Sequence, residues 1–354
     1  MKTPVNVVLG LAATLGAAQA EELKPANWVL LPAIGSSAET GFEYGLYAMR
    51  QFAQTSIDEP QDRTEFVVQG TTKSQFQAFI WPDFYVAGGN WNLSGEIGGK
   101  YWPTPYFGQG NDVSLDAEPE NYELTAFESD VEAAYRVTPS IWLGSLVFLE
   151  YEDITDDDDD ALLNDTINGF EGGLYSGIGL SAAWDTRNDR DWPTRGSRVS
   201  AELRQYAPML GSDYDFGILY SKASHFVTLG DDVLALGANY QWSSSTTPFT
   251  RLPRPTGAST LRGANGNRWI DHQLLGTQVE YRMTLTPRWA VTGFFDTAQV
   301  GESLDDLGLD AVHTSLGGGV RWSTIADSRF NIRFDVGWVD MESVGIALRV
   351  GEAF

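Results

Sequence analysis

The sequence predicts an all-β protein: a transmembrane antiparallel β-barrel of sixteen strands, fourteen being the other even count the pattern admits, with a long loop folded into the lumen. Three observations lead there. Beyond residue 20 there is no apolar run of about 18 residues, so no transmembrane helix is expected. From residue 40 to the end, apolar and polar residues alternate with period two, the signature of strands with one apolar face. Aromatics are abundant, with 12 Trp, 14 Tyr and 18 Phe, and they fall on the apolar faces while small and charged residues fall on the others. In a soluble sandwich the apolar face would meet a second sheet. That alternative stands for any single strand but weakens over the whole set. A closed sheet satisfies every backbone group in lipid, as an open one cannot.

Residues 1–20 read as a secretory signal peptide. Lys2 gives the positive start, residues 5–16 the apolar stretch, and Ala18-Gln19-Ala20 the small-x-small cleavage site. Residues 21–39, with Pro25 and Pro32, read as a short periplasmic lead, and residues 40–354 as the barrel. Phe42, Tyr44, Leu46 and Ala48 share one face of the first strand. Residues 63–71 and 74–80 form a hairpin about Thr72-Lys73, and residues 91–101 the next strand. Residues 102–119 are irregular, their Gly108 and Gly110 suiting positive φ. Residues 121–137 and 141–152 are extended about a Thr138-Pro139-Ser140 turn.

Residues 153–168 hold five aspartates at positions 156–160. The run reads as a solvated loop or as a divalent-cation site bridging lipopolysaccharide phosphates. It is not an EF-hand, because the loop glycine is missing and Ile167 stands at the twelfth position. Strands at 173–185 and 197–206 flank residues 186–196, and 214–229 and 233–242 form a hairpin. A long loop, 243–272, leads into 273–285 and 289–300. Strands at 313–322, 329–338 and 343–354 end the chain. The bare count is fifteen. Single-chain bacterial barrels usually have an even number, and splitting 121–137 at Glu128-Ser129-Asp130 gives sixteen.

The net charge of −25 and the lack of a basic stripe exclude nucleic acid as a partner. The absence of cysteine suits an exported chain. No G-x-S-x-G elbow is present, and His225, His272 and His313 lack metal-ligand spacing. No catalytic residue, metal or cofactor is expected.

Four stretches stand out in order: Asp185-Thr186-Arg187-Asn188-Asp189 with Pro193-Thr194-Arg195-Gly196, then Leu261-Arg262-Gly263, Glu280-Tyr281-Arg282 and Phe294-Phe295-Asp296. Together they resemble the periplasmic turn, the loop motif, the E-x-R strand and the F-x-D-x-G strand of the bacterial surface antigen family, the BamA/TamA-type outer-membrane superfamily that includes protein insertases and translocases. Phe354 is similar to the terminal assembly signal. Ala264 stands where an aromatic is usual and Ala298 where a glycine is usual. With only residues 21–39 ahead of the barrel, the chain resembles the members that lack periplasmic domains. The resemblance implies insertion or translocation of protein or lipid at the bacterial outer membrane. Lipid and lipopolysaccharide, client outer-membrane proteins or a periplasmic partner would be its contacts. A passive channel or structural barrel is the alternative.

By parity, Glu280 shares a face with Gly276, Gln278 and Arg282, opposite Leu275, Val279, Tyr281 and Met283. Asp296 lies opposite Phe295 and faces the lumen. A carboxylate in a partly occluded lumen needs a partner, and the planar fork of Arg262 can bond two. Gly263 lets the loop backbone approach the wall. From the residues alone Arg262 reads more readily as a solvated loop arginine; with the resemblance, an internal cluster of Arg262, Gly263, Glu280 and Asp296 holding the loop is expected. Arg321, Arg333, Asp335 and Arg349 fall on lumen faces and could extend it.

Overall fold

Alternation carries through to the structure, a computed structural model describing residues 23, 25–37, 39–56, 60–156, 162–256, 259–309, 311–323 and 331–354. Sixteen strands form one antiparallel sheet: β1 (Asn27–Ser37), β2 (Gly41–Gln51), β3 (Arg63–Thr71), β4 (Phe76–Val86), β5 (Trp91–Tyr101), β7 (Glu120–Thr138), β8 (Ile141–Thr155), β9 (Gly172–Asp185), β10 (Gly196–Tyr206), β11 (Phe216–Leu229), β12 (Asp232–Ser243), β13 (Gln273–Thr284), β14 (Trp289–Gly301), β15 (His313–Ser323), β16 (Asn331–Val339) and β17 (Ser343–Val350). A three-residue strand, β6 (Thr104–Tyr106), pairs with the start of β7 as a flap. Each barrel strand pairs with the next along the chain. The sheet curls into a nearly closed barrel, because Val350 of β17 packs against the Val29, Leu31, Tyr47 and Met49 group of β1 and β2. No ladder joins β17 to β1 among the described residues. β1 begins and β17 ends at the same end of the barrel, the termini end.

The two faces are sorted inside out. On β8, Leu146, Phe148, Glu150, Glu152 and Ile154 are buried, while Leu143, Val147, Leu149 and Tyr151 are exposed. Val147 is 63% and Leu180 65% exposed, whereas Arg262, Arg282, Glu280 and Asp296 are 0% exposed. A soluble protein has no reason to hide its charges and show its leucines. With lipid outside, both follow. No helix of the described residues is long and apolar enough to cross a membrane, and strands do the crossing.

Sixteen is the count expected, reached by a different route. Residues 27–37, expected to be part of the lead, form β1, paired along its length with β2. Pro32 argued for irregular chain, but among the described residues β1 ladders only with β2, and a strand paired on one side tolerates a missing N–H. Residues 121–137 were expected to turn at Glu128-Ser129-Asp130, yet β7 runs through. Glu128 and Asp130 point inward, to Lys100 at 2.7 Å and Arg204 at 3.7 Å, so a polar triplet reads as a turn when two of its members are lumen partners. The last strand stops at Val350 rather than 354. The residues assigned to the signal peptide (1–20) lie outside the described residues, as does most of the aspartate run (157–160).

Candidate functional site in the barrel lumen

The loop between β12 and β13, residues 244–272, folds back into the barrel and is held at two walls. On one, Arg251 meets Glu150 at 2.8 Å and Glu152 at 2.9 Å, and Thr250 donates to Glu152 at 2.6 Å. Arg254 closes the loop on itself, donating to the carbonyls of Phe249 and Thr250 and to Asn267 Oδ1. On the other wall stands Arg262. Its Nε and Nη2 donate to the two oxygens of Asp296 at 2.8 and 2.7 Å, its backbone N–H adds a third bond at 3.1 Å, and Nη1 donates to Glu280. The guanidinium lies 3.6 Å from the ring centroid of Phe294.

Period two delivers these partners. Glu280 lies opposite Phe294, and Asp296 opposite Gln278, so the two carboxylates sit diagonally on adjacent strands with the Phe294 ring between. Glu280 is shared by three arginines, accepting also from Arg282 Nε at 2.7 Å and Arg321 Nη2 at 3.1 Å. Arg321 goes on to Asp335 at 2.6 Å and Glu352 at 2.8 Å, and Arg333 reaches Asp335 at 2.8 Å. Four arginines (262, 282, 321, 333) thus face four carboxylates (280, 296, 335, 352), a neutral sum. Balance is what a buried ionic cluster requires, since an odd charge would carry its desolvation unpaid.

Glycines give the loop its seat. Gly263 adopts φ +94°. A Cβ on Gly337 of β16 would lie 2.0 Å from the carbonyl of Arg262, and one on Gly345 of β17 would lie 2.0 Å from that of Gly263. Ser315 of β15 donates its hydroxyl to the Arg262 carbonyl. The unusual Ala264 and Ala298 both pack into one apolar cluster with Leu261, Trp269, Leu274, Val300 and Val339. Methyl groups fill the place there.

The barrel's two ends are covered. At the end away from the termini, residues 102–119 meet the long loop: Gly110 N–H bonds Ile270 O at 2.9 Å, Trp269 Nε1 bonds Val113 O at 3.0 Å, and Gln109 bonds Asp271 at 2.9 Å. His313 stacks on Trp269 at 3.7 Å and touches Asp340 and Asn111. At the termini end the turn after Asp185 folds over the mouth. Asp185 pairs with Arg187 at 2.8 Å, Arg190 with Asp83 at 2.5 Å, and Asp191 with Arg63 at 3.2 Å. Pro193 is buried, and Gly196 takes φ +96°, where a Cβ would meet Thr186 O at 2.2 Å. Phe354 lies inside the lumen at this end, against Phe226.

The sequence matches the Omp85 superfamily domain over residues 116–354, two thirds of its length. The chain belongs to the Omp85 superfamily. Solved structures agree in fold. BamA from Haemophilus ducreyi lacking POTRA domains 1–3 superposes with a TM-score of 0.61 at 11% identity, covering 92% of this chain and 70% of that one. CdiB from Acinetobacter baumannii gives 0.60 at 11%, covering 93% and 60%, and CdiB from Escherichia coli gives 0.57 at 12%, covering 94% and 63%. The chain therefore spans 60–70% of the length of these structures. No curated protein matches it.

In this Omp85 barrel the joint between β1 and β17 has its own polar contact. Arg349 of β17 reaches Glu43 of β2 at 3.1 Å, passing Gly35 of β1, where a Cβ would lie 2.7 Å from the Glu43 carboxylate. Glu43 is buried and also accepts from Thr40 and Gln69. The long loop reaches the same place, through Asn267 to Glu39 beside β2. Glu43, Glu150, Glu152, Arg251 and Glu352 were missed as partners. For Glu150 and Glu152 the signal was available, as two inward carboxylates at i and i+2 on an otherwise apolar strand.

Proposed function

We propose that this barrel assists insertion or translocation of protein or lipid at the outer membrane, without enzymatic chemistry. The end carrying the termini and the 186–195 turn would face the periplasm. The observation that carries the reading is the β1–β17 joint. Among the described residues, apolar packing and one ion pair hold it where the other strand junctions have hydrogen-bonded ladders, so the wall can part there at small cost. The cluster of Arg262, Gly263, Glu280 and Asp296 anchors the loop beside that joint, and keeps the lumen filled while the joint works. Asp185, Pro193 and Gly196 shape the cover at the termini end. Lipid, lipopolysaccharide and client outer-membrane proteins, with or without a periplasmic helper, are the corresponding partners.

Depletion in cells, followed by a census of outer-membrane proteins and lipids, tests this. Loss of a defined subset of either is expected. An unchanged census, together with a steady single-channel conductance in planar bilayers, would replace this reading with a passive barrel.

A further inference from the structure

The outward faces of β1, β2 and β3 suit hydrocarbon. Leu30, Ile34, Tyr44, Leu46 and Val68 are exposed there. Of the described residues on these three faces, Arg50 is the one that carries a charge. It lies directly opposite Trp28 of β1, whose side chain is exposed, and facing residues of a ladder share a side. β2 ends one residue later, at Gln51, so Arg50 stands at the rim of the termini end. An arginine facing lipid is costly at the middle of a barrel wall and cheap at its edge.

Two rings hold this cation. The guanidinium carbon lies 5.4 Å from the ring centroid of Trp28 and 5.7 Å from that of Phe52. Both rings are backed in turn: Trp28 stacks on Phe66 at 6.4 Å and 28°, and Phe52 lies 5.5 Å from Phe84. The Gln61 amide ties down the same corner, donating to the carbonyls of Phe52 at 2.8 Å and Pro25 at 3.1 Å. Attraction to a ring face does not use the N–H groups of a guanidinium. Among the described residues, no carboxylate pairs with Arg50 and no acceptor meets its side chain. The lumen arginines 262, 282, 321 and 333 each have a carboxylate. At the rim of a lipid-facing wall the acceptors within reach are lipid phosphates, and a planar fork bonds two phosphate oxygens at once.

We propose that Arg50, Trp28 and Phe52 form a binding site for the phosphodiester of a glycerophospholipid, whose acyl chains lie along Leu30 and Leu46. The lipid then touches β1 from outside, one strand from the β1–β17 joint, and braces β1 against β2. With the termini end toward the periplasm, as proposed above, the leaflet is the periplasmic one. The site itself needs only a lipid-facing wall and is independent of the insertion role.

Native mass spectrometry of the purified protein in detergent, titrated with phosphatidylglycerol, tests this. Folding is checked by the heat-dependent shift in electrophoretic mobility. The wild type should retain one phosphatidylglycerol roughly tenfold more strongly than a diacylglycerol with the same chains and no phosphate. Arg50→Gln should lose that preference. Trp28→Ala should weaken retention about threefold. Trp289→Ala removes a comparable ring, the partner of Trp322 across the β14–β15 ladder, and should leave retention unchanged. Glycerol 3-phosphate at the concentration of the lipid should not displace it. Should Arg50→Gln not fold, the contrast between Trp28→Ala and Trp289→Ala carries the test. Undiminished retention by folded Arg50→Gln, equal retention of the two lipids, no difference between the two tryptophan variants, or displacement by glycerol 3-phosphate would each overturn the proposal.

Discussion

Replacing Arg262 with alanine would leave Asp296 and Glu280 buried at 0% exposure, with the bonds to Asp296 gone and Glu280 short of one of its three arginines. Removing one partner of a buried ionic group costs roughly 3–5 kcal/mol, so Arg262→Ala is expected to destabilise the barrel by about that amount in urea titrations of the protein in detergent. Arg262→Lys should fall between, because one ammonium cannot span both oxygens of Asp296 and also reach Glu280. A double change, Arg262→Ala with Asp296→Ala, should cost clearly less than the sum of the single changes. A strictly additive result would mean that the two side chains are not coupled. At this scale much was legible. Parity placed Glu280, Asp296, Arg321, Arg333 and Asp335 on the lumen face, and the structure links Glu280, Arg321, Asp335 and Arg333 by hydrogen bonds, with Asp296 joined to Glu280 through Arg262. Arg349 was assigned to the same network but pairs with Glu43 across the joint instead. Parity fixes which face a residue is on and says nothing about which distant strand it will find there.

Elements carry the next layer, and glycines decide it. Gly337 and Gly345 form a track on which the loop backbone rests, each with room for no Cβ. Gly337→Val should push the loop off the wall and cost roughly 1–3 kcal/mol through overpacking. Limited proteolysis should then cut within residues 244–272 at least several-fold faster, while the strand content seen by circular dichroism stays the same. Unchanged cleavage would mean that the loop does not depend on this seat. The joint between β1 and β17 gives a separate test. A hydrogen bond to a charged group contributes roughly 1.5–3 kcal/mol, so Glu43→Gln should speed amide exchange in β1 by about tenfold, measured by mass spectrometry, and leave β8 and β9 unaffected. Equal acceleration in all strands would place the effect in global stability. Most strand boundaries were readable where two neighbours share a ladder, β7 excepted, because its inward-facing Glu128 and Asp130 mimic a turn. The others failed at the margins. β1 was hidden by Pro32, and the end of β17 was hidden because Phe354 keeps the strand's parity after the chain has left the sheet.

For the whole molecule, the question is whether the barrel is a passage. Its interior is not an open tube: the long loop joins two walls through Arg251 and Arg262, residues 102–119 lock onto that loop at one end, and the turn after Asp185 covers the other. A wet polar interior alone is normal for barrels and would suit a channel. Here, however, the carboxylates of the cluster are matched by arginines, which leaves little free charge to draw ions through that side of the lumen. Wild-type protein in a planar bilayer should therefore show small or intermittent conductance. Replacing residues 244–272 with a short Gly-Ser linker should convert this to large, steady openings, because the loop is the element that spans the lumen. Sixteen strands enclose a bore wide enough for water once the filling is removed. If the shortened variant conducts no more than the wild type, the two end covers are sufficient to close the barrel, and the Arg262 cluster must be assigned to stability rather than occlusion. If wild type already conducts steadily, the loop moves freely in the membrane and the anchoring role is lost.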